Sequence, residues 1–322
     1  MKIVYLGSGE FGIECLNALG KSGQGPALIV TQMPQAAGRG KKMTPTAVAG
    51  WAAAHSIPFV ETDDVNSTQI VGKITASSPD LIVVIAFGQK IGNELITLPP
   101  KGAINVHASL LPKYRGAAPI NWAIINGEKE TGISIITLAE KMDAGKILAQ
   151  VKTDIGLDET ADQLHDRLSQ IAAPLLMETI DRIAENAISY IEQDNSKATR
   201  APKLKKSDGF LNFSENAEIL RRKILGLWSW PGAAAIYVSK RTAKRQRVTI
   251  AMAEAVEIKK PANLPAGTLD ENLNIVCGEN ALKVVRIKPE GAKLMGFKDF
   301  INGRATQPGD MFVSATGGQE DR

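Results

Sequence analysis

Asn105 and His107 stand two residues apart in an apolar run, alternating with Ile104, Val106 and Ala108. Successive side chains of a strand point to opposite faces, so these two leave the same face. A second polar cluster, Lys141-Met142-Asp143-Ala144-Gly145, follows another apolar run at 132–137, and a loop there can bring Asp143 to His107. An amide, an imidazole and a carboxylate suit acyl transfer to an amine. The amide donates to the oxygen that becomes negative, and the other two relay the proton that the amine loses. No Ser or Cys sits on a strand-to-helix nucleophile turn, so direct transfer is expected rather than a covalent acyl-enzyme. A plainer alternative stays open here, with His107 a structural hydrogen bonder at a strand end and Asp143 a turn residue. His55 and His165 lie at a helix end and on an amphipathic stretch without ligand spacing, so no metal site is expected.

The elements that must hold these groups read as alternating strands and helices. Strands are expected at 2–6, 27–31, 58–60, 81–86, 103–106 and 132–137, and helices at 11–19, 46–55, 67–76 and along 158–185. The continuous apolar run Leu-Ile-Val-Val-Ile-Ala at 81–86 is typical of a strand buried on both faces of a parallel sheet. The pattern predicts an α/β fold with a doubly wound, mostly parallel sheet, which binds ligands at the carboxyl ends of its strands. Residues 192–208 are polar and aperiodic and contain Pro202, as in a linker. Beyond one helix near 216–225, short segments at 234–238, 247–250, 273–276 and 282–287 predict a small, OB-like β-barrel. The expected organisation is a catalytic domain at 1–190, a linker at 191–208 and the barrel at 209–322.

Charge divides along the same line. Residues 1–208 carry 21 Lys and Arg against 22 Asp and Glu, whereas residues 209–322 carry 17 against 12. A basic second part fits either a polyanionic partner or a merely solvated surface. Cys15 and Cys277 form no disulfide framework, and no apolar run approaches the ~20 residues of a membrane helix. A cytoplasmic monomer without membrane contact is expected. Gly7, Gly9 and Gly12 spell G-x-G-x-x-G between the first strand and helix. The second strand, however, ends Val30-Thr31-Gln32-Met33-Pro34, and the next acid after Glu14 is Glu61. A dinucleotide site needs an acid there for the ribose, so NAD is not expected.

Asn105-Val106-His107-Ala108-Ser109-Leu110-Leu111-Pro112 resembles the signature of the 10-formyltetrahydrofolate-dependent formyltransferases. The extension KYRGAAPI at 113–120 looks like the branch that formylates methionyl-tRNA. Further resemblances are AGRGKK at 37–42, FGQ at 87–89, the Asp143 loop, APK at 201–203, WPGA at 230–233 and NGR at 302–304. The resemblance implies transfer of a formyl group from 10-formyltetrahydrofolate to the α-amine of initiator methionyl-tRNA, with Asn105, His107 and Asp143 as the catalytic trio. Ser109, Leu110, Leu111 and Pro112, with the backbone around Phe87, Gly88 and Gln89, would line the folate pocket. Arg39, Lys41 and Lys42 would meet the tRNA acceptor end. Lys203, Lys205 and Lys206, with Lys240, Arg241, Lys244, Arg245 and Arg247, would contact phosphates.

The sequence departs from the family pattern in three places. Ser8-Gly9-Glu10 stands where Thr-Pro-Asp is common, Lys141-Met142 precedes Asp143 instead of Gly-Leu, and Arg200 replaces a Tyr. Formyltransferases acting on glycinamide ribonucleotide or sugar nucleotides, and formyltetrahydrofolate hydrolases, share such a trio but need no tRNA surface. An RNA-binding module on an inactive scaffold would need no trio.

Overall fold

The computed structural model describes residues 1–37, 42–258 and 264–315. The chain forms two compact units: Met1–Pro119 with Glu130–Asp154 and Leu164–Pro202, and Ile120–Lys129 with Ile155–Gln163 and Lys203–Arg322. The polar stretch 191–208 divides between them at Pro202 and Lys203.

The strands of the first unit are β1 (Ile3–Gly7), β2 (Leu28–Gln32), β3 (Gln35–Ala37), β4 (Lys42–Thr44), β5 (Phe59–Thr62), β6 (Leu81–Ile85), β7 (Ala103–His107), β8 (Arg115–Gly116), β9 (Glu130–Thr137), β10 (Ile147–Asp154) and β11 (Arg200–Ala201). Its helices are α1 (Ile13–Lys21), α2 (Ala47–Ala54), α3 (Thr68–Ala76) and α4 (Asn93–Thr97). Two more, α5 (Pro119–Ile125) and α6 (Ala161–Ala184), span the junctions between the units. Seven strands make one sheet in the order β10-β9-β7-β6-β1-β2-β5. The run from β5 to β7 is parallel, and β9 and β10 are antiparallel. The expected mostly parallel, doubly wound sheet is therefore present, closed at one side by an antiparallel pair.

Every residue of β1 and β6 is buried, as their unbroken apolar sequences require. Alternation divides the packing: Val4, Leu6, Ile82 and Val84 share a core with Ile70, Val71 and Ile74 of α3. The start of α2 follows the capping rule. Thr46 Oγ1 accepts from Ala49 N at the head of α2, at 3.0 Å.

The glycine loop after β1 has a packing explanation. A Cβ on Gly7 or Gly12 would overlap the Tyr5 side chain, ring carbon in the first case and hydroxyl in the second. Tyr5 is fully buried, and its hydroxyl has no hydrogen-bond partner among the described residues. Burial pushes its pKa well above the usual tyrosine value, with Cys15 adding to the shift. An unpaired buried hydroxyl costs roughly 1–3 kcal/mol, so Tyr5→Phe is expected to stabilise this unit by about that amount. A rise in its urea-unfolding midpoint is the check, and an unchanged or lower midpoint would mean that the hydroxyl is satisfied after all.

The second unit contains α7 (Ala217–Leu227), β12 (Ala233–Val238), β13 (Arg245–Val256), β14 (Ile275–Val276), β15 (Ala281–Pro289), β16 (Met295–Gly296), α8 (Phe297–Arg304) and β17 (Met311–Ser314). Its antiparallel sheet runs β14-β15-β13-β12-β17, with β16 on β15. Bridges Thr268–Met311 and Leu269–Ile275 bring the two ends of that sheet together, which gives the expected barrel. Phe213, Leu220, Tyr237, Phe297, Phe300 and Phe312 lie in its core. Asp310 is wholly buried but satisfied, accepting from Tyr237 Oη at 2.6 Å, Lys240 N at 2.7 Å and Gln307 N at 3.0 Å. Strand β13 is 12 residues long, far beyond the 247–250 expected. Its second half, Ala-Met-Ala-Glu-Ala, has weak intrinsic strand preference, and pairing with β15 through two register shifts decides its conformation.

Candidate active site

Asn105 and His107 lie within the last three residues of β7, paired with Ile136 and Ser134 of β9. The His107 side chain is buried, and its Nε2 lies 2.9 Å from the Tyr114 carbonyl oxygen. A carbonyl only accepts, so Nε2 carries a proton and Nδ1 is the atom left to gain one. Nδ1 faces Asp143 Oδ2 at 3.6 Å, with the two side chains 6% and 12% exposed. Gly116 N donates to the same Asp143 oxygen at 2.8 Å. A proton arriving at Nδ1 is therefore met by a carboxylate of fixed position. Asn105 is half-buried, and its side-chain amide makes no hydrogen bond among the described residues. It remains available to a ligand oxygen.

Local sequence explains how Asp143 gets there. The loop leaves β9 at Thr137 and returns at once into β10. A Cβ on Gly145 would collide with the Thr137 carbonyl, so the loop closes only with glycine there. Lys146 N donates to Thr137 Oγ1 at 2.9 Å and Thr137 N to Lys146 O at 2.9 Å. Asp143 itself is left-handed, at φ +54, a region that aspartate enters more readily than most residues. Gln193 Nε2 donates to the Asp143 carbonyl at 2.8 Å and to the Gly145 carbonyl at 2.7 Å.

The turn 109–112 is held beside this pair. Ser134 Oγ donates to Ser109 O at 2.6 Å and accepts from Leu111 N at 3.0 Å. Gln150 Nε2 donates to Ser134 Oγ at 2.7 Å and to Leu111 O at 2.9 Å, while Ser109 Oγ donates to Lys113 O at 2.7 Å. Leu111 is buried with Ile136 and Ile147, and Leu110 and Pro112 are half-buried. Ser134, Gln150, Gln193 and Thr199 were not singled out from the sequence. Ser134 carried a signal, as the one polar residue within the apolar run 133–136.

Residues 87–89 follow β6, which pairs with β7 at Val84–Asn105. The Phe87 ring lies in the core, and Gly88 has φ +80 against Gln32. Both ends of the Gln89 amide are used, accepting from Val65 N at 2.8 Å and donating to Thr62 O at 3.0 Å. What this loop offers a ligand is therefore its backbone. Ser8 N and Gly9 N both donate to Ala86 O, at 3.2 and 3.3 Å, so two amides of the glycine loop are already committed to protein. Burial pushes the Cys15 and Cys277 thiols up to about 12, which keeps them protonated and poor nucleophiles at neutral pH.

Among the basic residues, Lys42 opens β4 and is exposed, while Arg39 and Lys41 lie outside the described residues. Lys203, Lys205 and Lys206 are exposed in the second unit. Lys240, Arg241, Lys244, Arg245 and Arg247 are exposed on and around the β12–β13 hairpin. Among the described residues no three His, Cys, Asp or Glu side chains gather to hold a metal ion, and no helix is long and apolar enough to cross a membrane.

Comparison with known proteins shows the family. Residues 1–180 match the family model described as formyl transferase, and residues 203–305 match that of the formyl transferase C-terminal domain. The chain is 38% identical over 314 residues to the methionyl-tRNA formyltransferase of Alkaliphilus oremlandii, covering 97% of this chain and 99% of that protein. It is 39% identical over 310 residues to the enzyme of the same name from Halalkalibacterium halodurans, covering 95% and 96%. In fold it is similar to the N-formyltransferase from Helicobacter canadensis in complex with folinic acid and dTDP-3-aminofucose. That likeness has a TM-score of 0.62 at 16% identity, over 92% of this chain and 100% of that one. The chain belongs to the formyl transferase family.

Proposed function

We propose that the chain transfers the formyl group of 10-formyltetrahydrofolate to the α-amine of initiator methionyl-tRNA, giving the formylated tRNA used in translation initiation. The observation that carries this is full-length likeness to proteins named methionyl-tRNA formyltransferase, through both the N-terminal and C-terminal family models. Sugar and ribonucleotide formyltransferases are the nearer alternative in chemistry. The basic exposed hairpin and Lys203, Lys205 and Lys206 favour a polyanionic acceptor.

In this reading Asn105, His107 and Asp143 carry the chemistry. The donor supplies an activated formyl carbon. Asn105 Nδ2 donates to the formyl oxygen as it becomes negative. His107 takes the proton of the attacking amine at Nδ1, and the Asp143 carboxylate at 3.6 Å stabilises the cation that forms. The bond from formyl carbon to the folate nitrogen breaks, the bond to the methionyl nitrogen forms, and the proton passes to the departing nitrogen. The turn 109–112 and the backbone of 87–89 hold the folate. Arg39, Lys41 and Lys42 meet the acceptor end, and the barrel lysines and arginines follow phosphates. The enzyme works as a single chain in the cytoplasm, where its acceptor is charged and used.

Purified protein is expected to consume 10-formyltetrahydrofolate only when methionyl-initiator tRNA is present, and more slowly with the elongator tRNA. Binding should weaken steeply with salt, as phosphate contacts require. Consumption with water alone as acceptor would replace this reading with the hydrolase.

A further inference from the structure

We propose that Gln193 is a positioning residue that holds the Asp143 carboxylate against His107 through the backbone of the 141–145 loop. The proposal rests on the roles of His107 and Asp143 given above.

Gln193 is 9% exposed, and each end of its amide is doubly engaged. Its Oε1 accepts from Arg115 Nε at 3.1 Å and Nη2 at 2.7 Å. Its Nε2 donates to the Asp143 and Gly145 carbonyls at 2.8 and 2.7 Å. A guanidinium can only donate and a carbonyl only accept, so the amide has a single orientation. The loop it grips contains Asp143 at φ +54. A left-handed residue other than glycine persists where its surroundings over-determine it. Gln193 supplies that restraint from outside the loop, fixing the backbone on both sides of Ala144.

The other half of the pair hangs from the same segment, 193–201. Thr199 Oγ1 accepts from Tyr114 N at 2.8 Å, and Thr199 O accepts from Arg115 N at 2.9 Å. Tyr114, at φ +63, is the residue whose carbonyl receives His107 Nε2. Strand β11 then pairs with β8, setting Ala201 beside Gly116, whose N–H holds Asp143 Oδ2. One strap thus fixes the imidazole through Tyr114 and the carboxylate through Gln193 and Gly116. Arg115 is the anchor on the opposite side, bonded to the amide oxygens of Gln193 and Asn195 and to no carboxylate among the described residues. Its charge strengthens the bonds to Gln193 and keeps that side chain oriented.

The test is steady-state formyl transfer by the full chain carrying Gln193→Glu or Gln193→Ala, with kcat expressed per folded enzyme. Glutamate keeps the size and the attraction to Arg115 but offers no N–H to the two carbonyls. Both variants are expected to lose about tenfold or more in kcat, with KM for folate and tRNA within about twofold, because a small displacement of a reacting group is costly. In an Asp143→Asn background, Gln193→Glu should cost less than about twofold further, since the two act as a unit. The proposal is overturned by a wild-type kcat in Gln193→Glu, by a loss carried in KM, or by full additivity with Asp143→Asn. An inactive Asp143→Asn with a fully active Gln193→Glu sinks the positioning role alone. An active Asp143→Asn sinks the underlying roles and this proposal together. If the alanine variant fails to fold, the isosteric glutamate variant decides.

Discussion

His107→Ala is expected to lower kcat by roughly 10²–10⁴-fold, the range that a positioned acid–base group contributes, while tRNA affinity stays within about twofold. The separation follows from where the imidazole lies. It is buried beneath the site, bonded to the Tyr114 carbonyl and facing Asp143, whereas the expected tRNA contacts are exposed side chains elsewhere in the sequence. The methionyl amine must be neutral to attack and must lose a further proton as the new bond forms. No other described side chain pairs a proton-accepting nitrogen with a buried carboxylate in this way, so water would have to substitute. Alanine also removes the His107–Tyr114 hydrogen bond, a stability cost of about 1–2 kcal/mol, so the rate must be referred to folded protein. Single-turnover formyl transfer and equilibrium binding of methionyl-tRNA together give the check. A loss of binding with chemistry preserved would show that the reacting groups lie elsewhere.

Much of this architecture could be read from sequence because its strongest signals are local. The apolar runs of β1, β2 and β6 appear within a residue of their expected bounds, and in β1 and β6 every position is buried, so no polar residue blurs the run. Thr46 marks the start of α2 by its side-chain cap, whereas Ser67 heads α3 without one. The elements that went unread owe their conformation to partners. Strand β10 (Ile-Leu-Ala-Gln-Val-Lys-Thr-Asp) is an edge strand whose later residues alternate between half-buried and exposed with no large apolar side chain beyond Val151, and pairing with β9 organises it. The β3–β4 hairpin has no apolar face to read, and β17 has only four residues.

The candidate site divides in the same way. Asn105 and His107 were visible because alternation along one strand fixes their common face, and the approach of Asp143 was a geometric expectation that the 3.6 Å contact meets. Their supports were hidden. Gln193 and Thr199 sit in an aperiodic polar stretch whose long-range contacts leave no trace in local pattern. The glycines at 7, 9 and 12 are the opposite case, a local motif with another cause. Gly7 and Gly12 make room for Tyr5, and the amides of Ser8 and Gly9 close onto Ala86 O. Three glycines in the right spacing record a close approach, and the group approached here is the protein's own side chain.

Asn105→Ala should cost roughly 10²–10³-fold in kcat, the usual price of deleting one oxyanion donor, with little change in stability. The two parts of that expectation have separate grounds. The amide makes no bond to another described residue, so its removal leaves no protein group unpaired. Its position on the same strand face as His107, two residues away, puts a donor and a proton acceptor on one reacting centre. Asn105→Asp is the sharper variant. It keeps the shape but places a negative charge where the formyl oxygen becomes negative, and it brings a second carboxylate towards the Asp143–His107 pair. It should therefore be slower than alanine, with folate binding intact. If aspartate and alanine were equally impaired, Asn105 would be acting through shape, holding the pocket rather than the charge. If Asn105→Asp were faster than Asn105→Ala, the side chain would be serving a cationic partner, and the oxyanion role would pass to another donor.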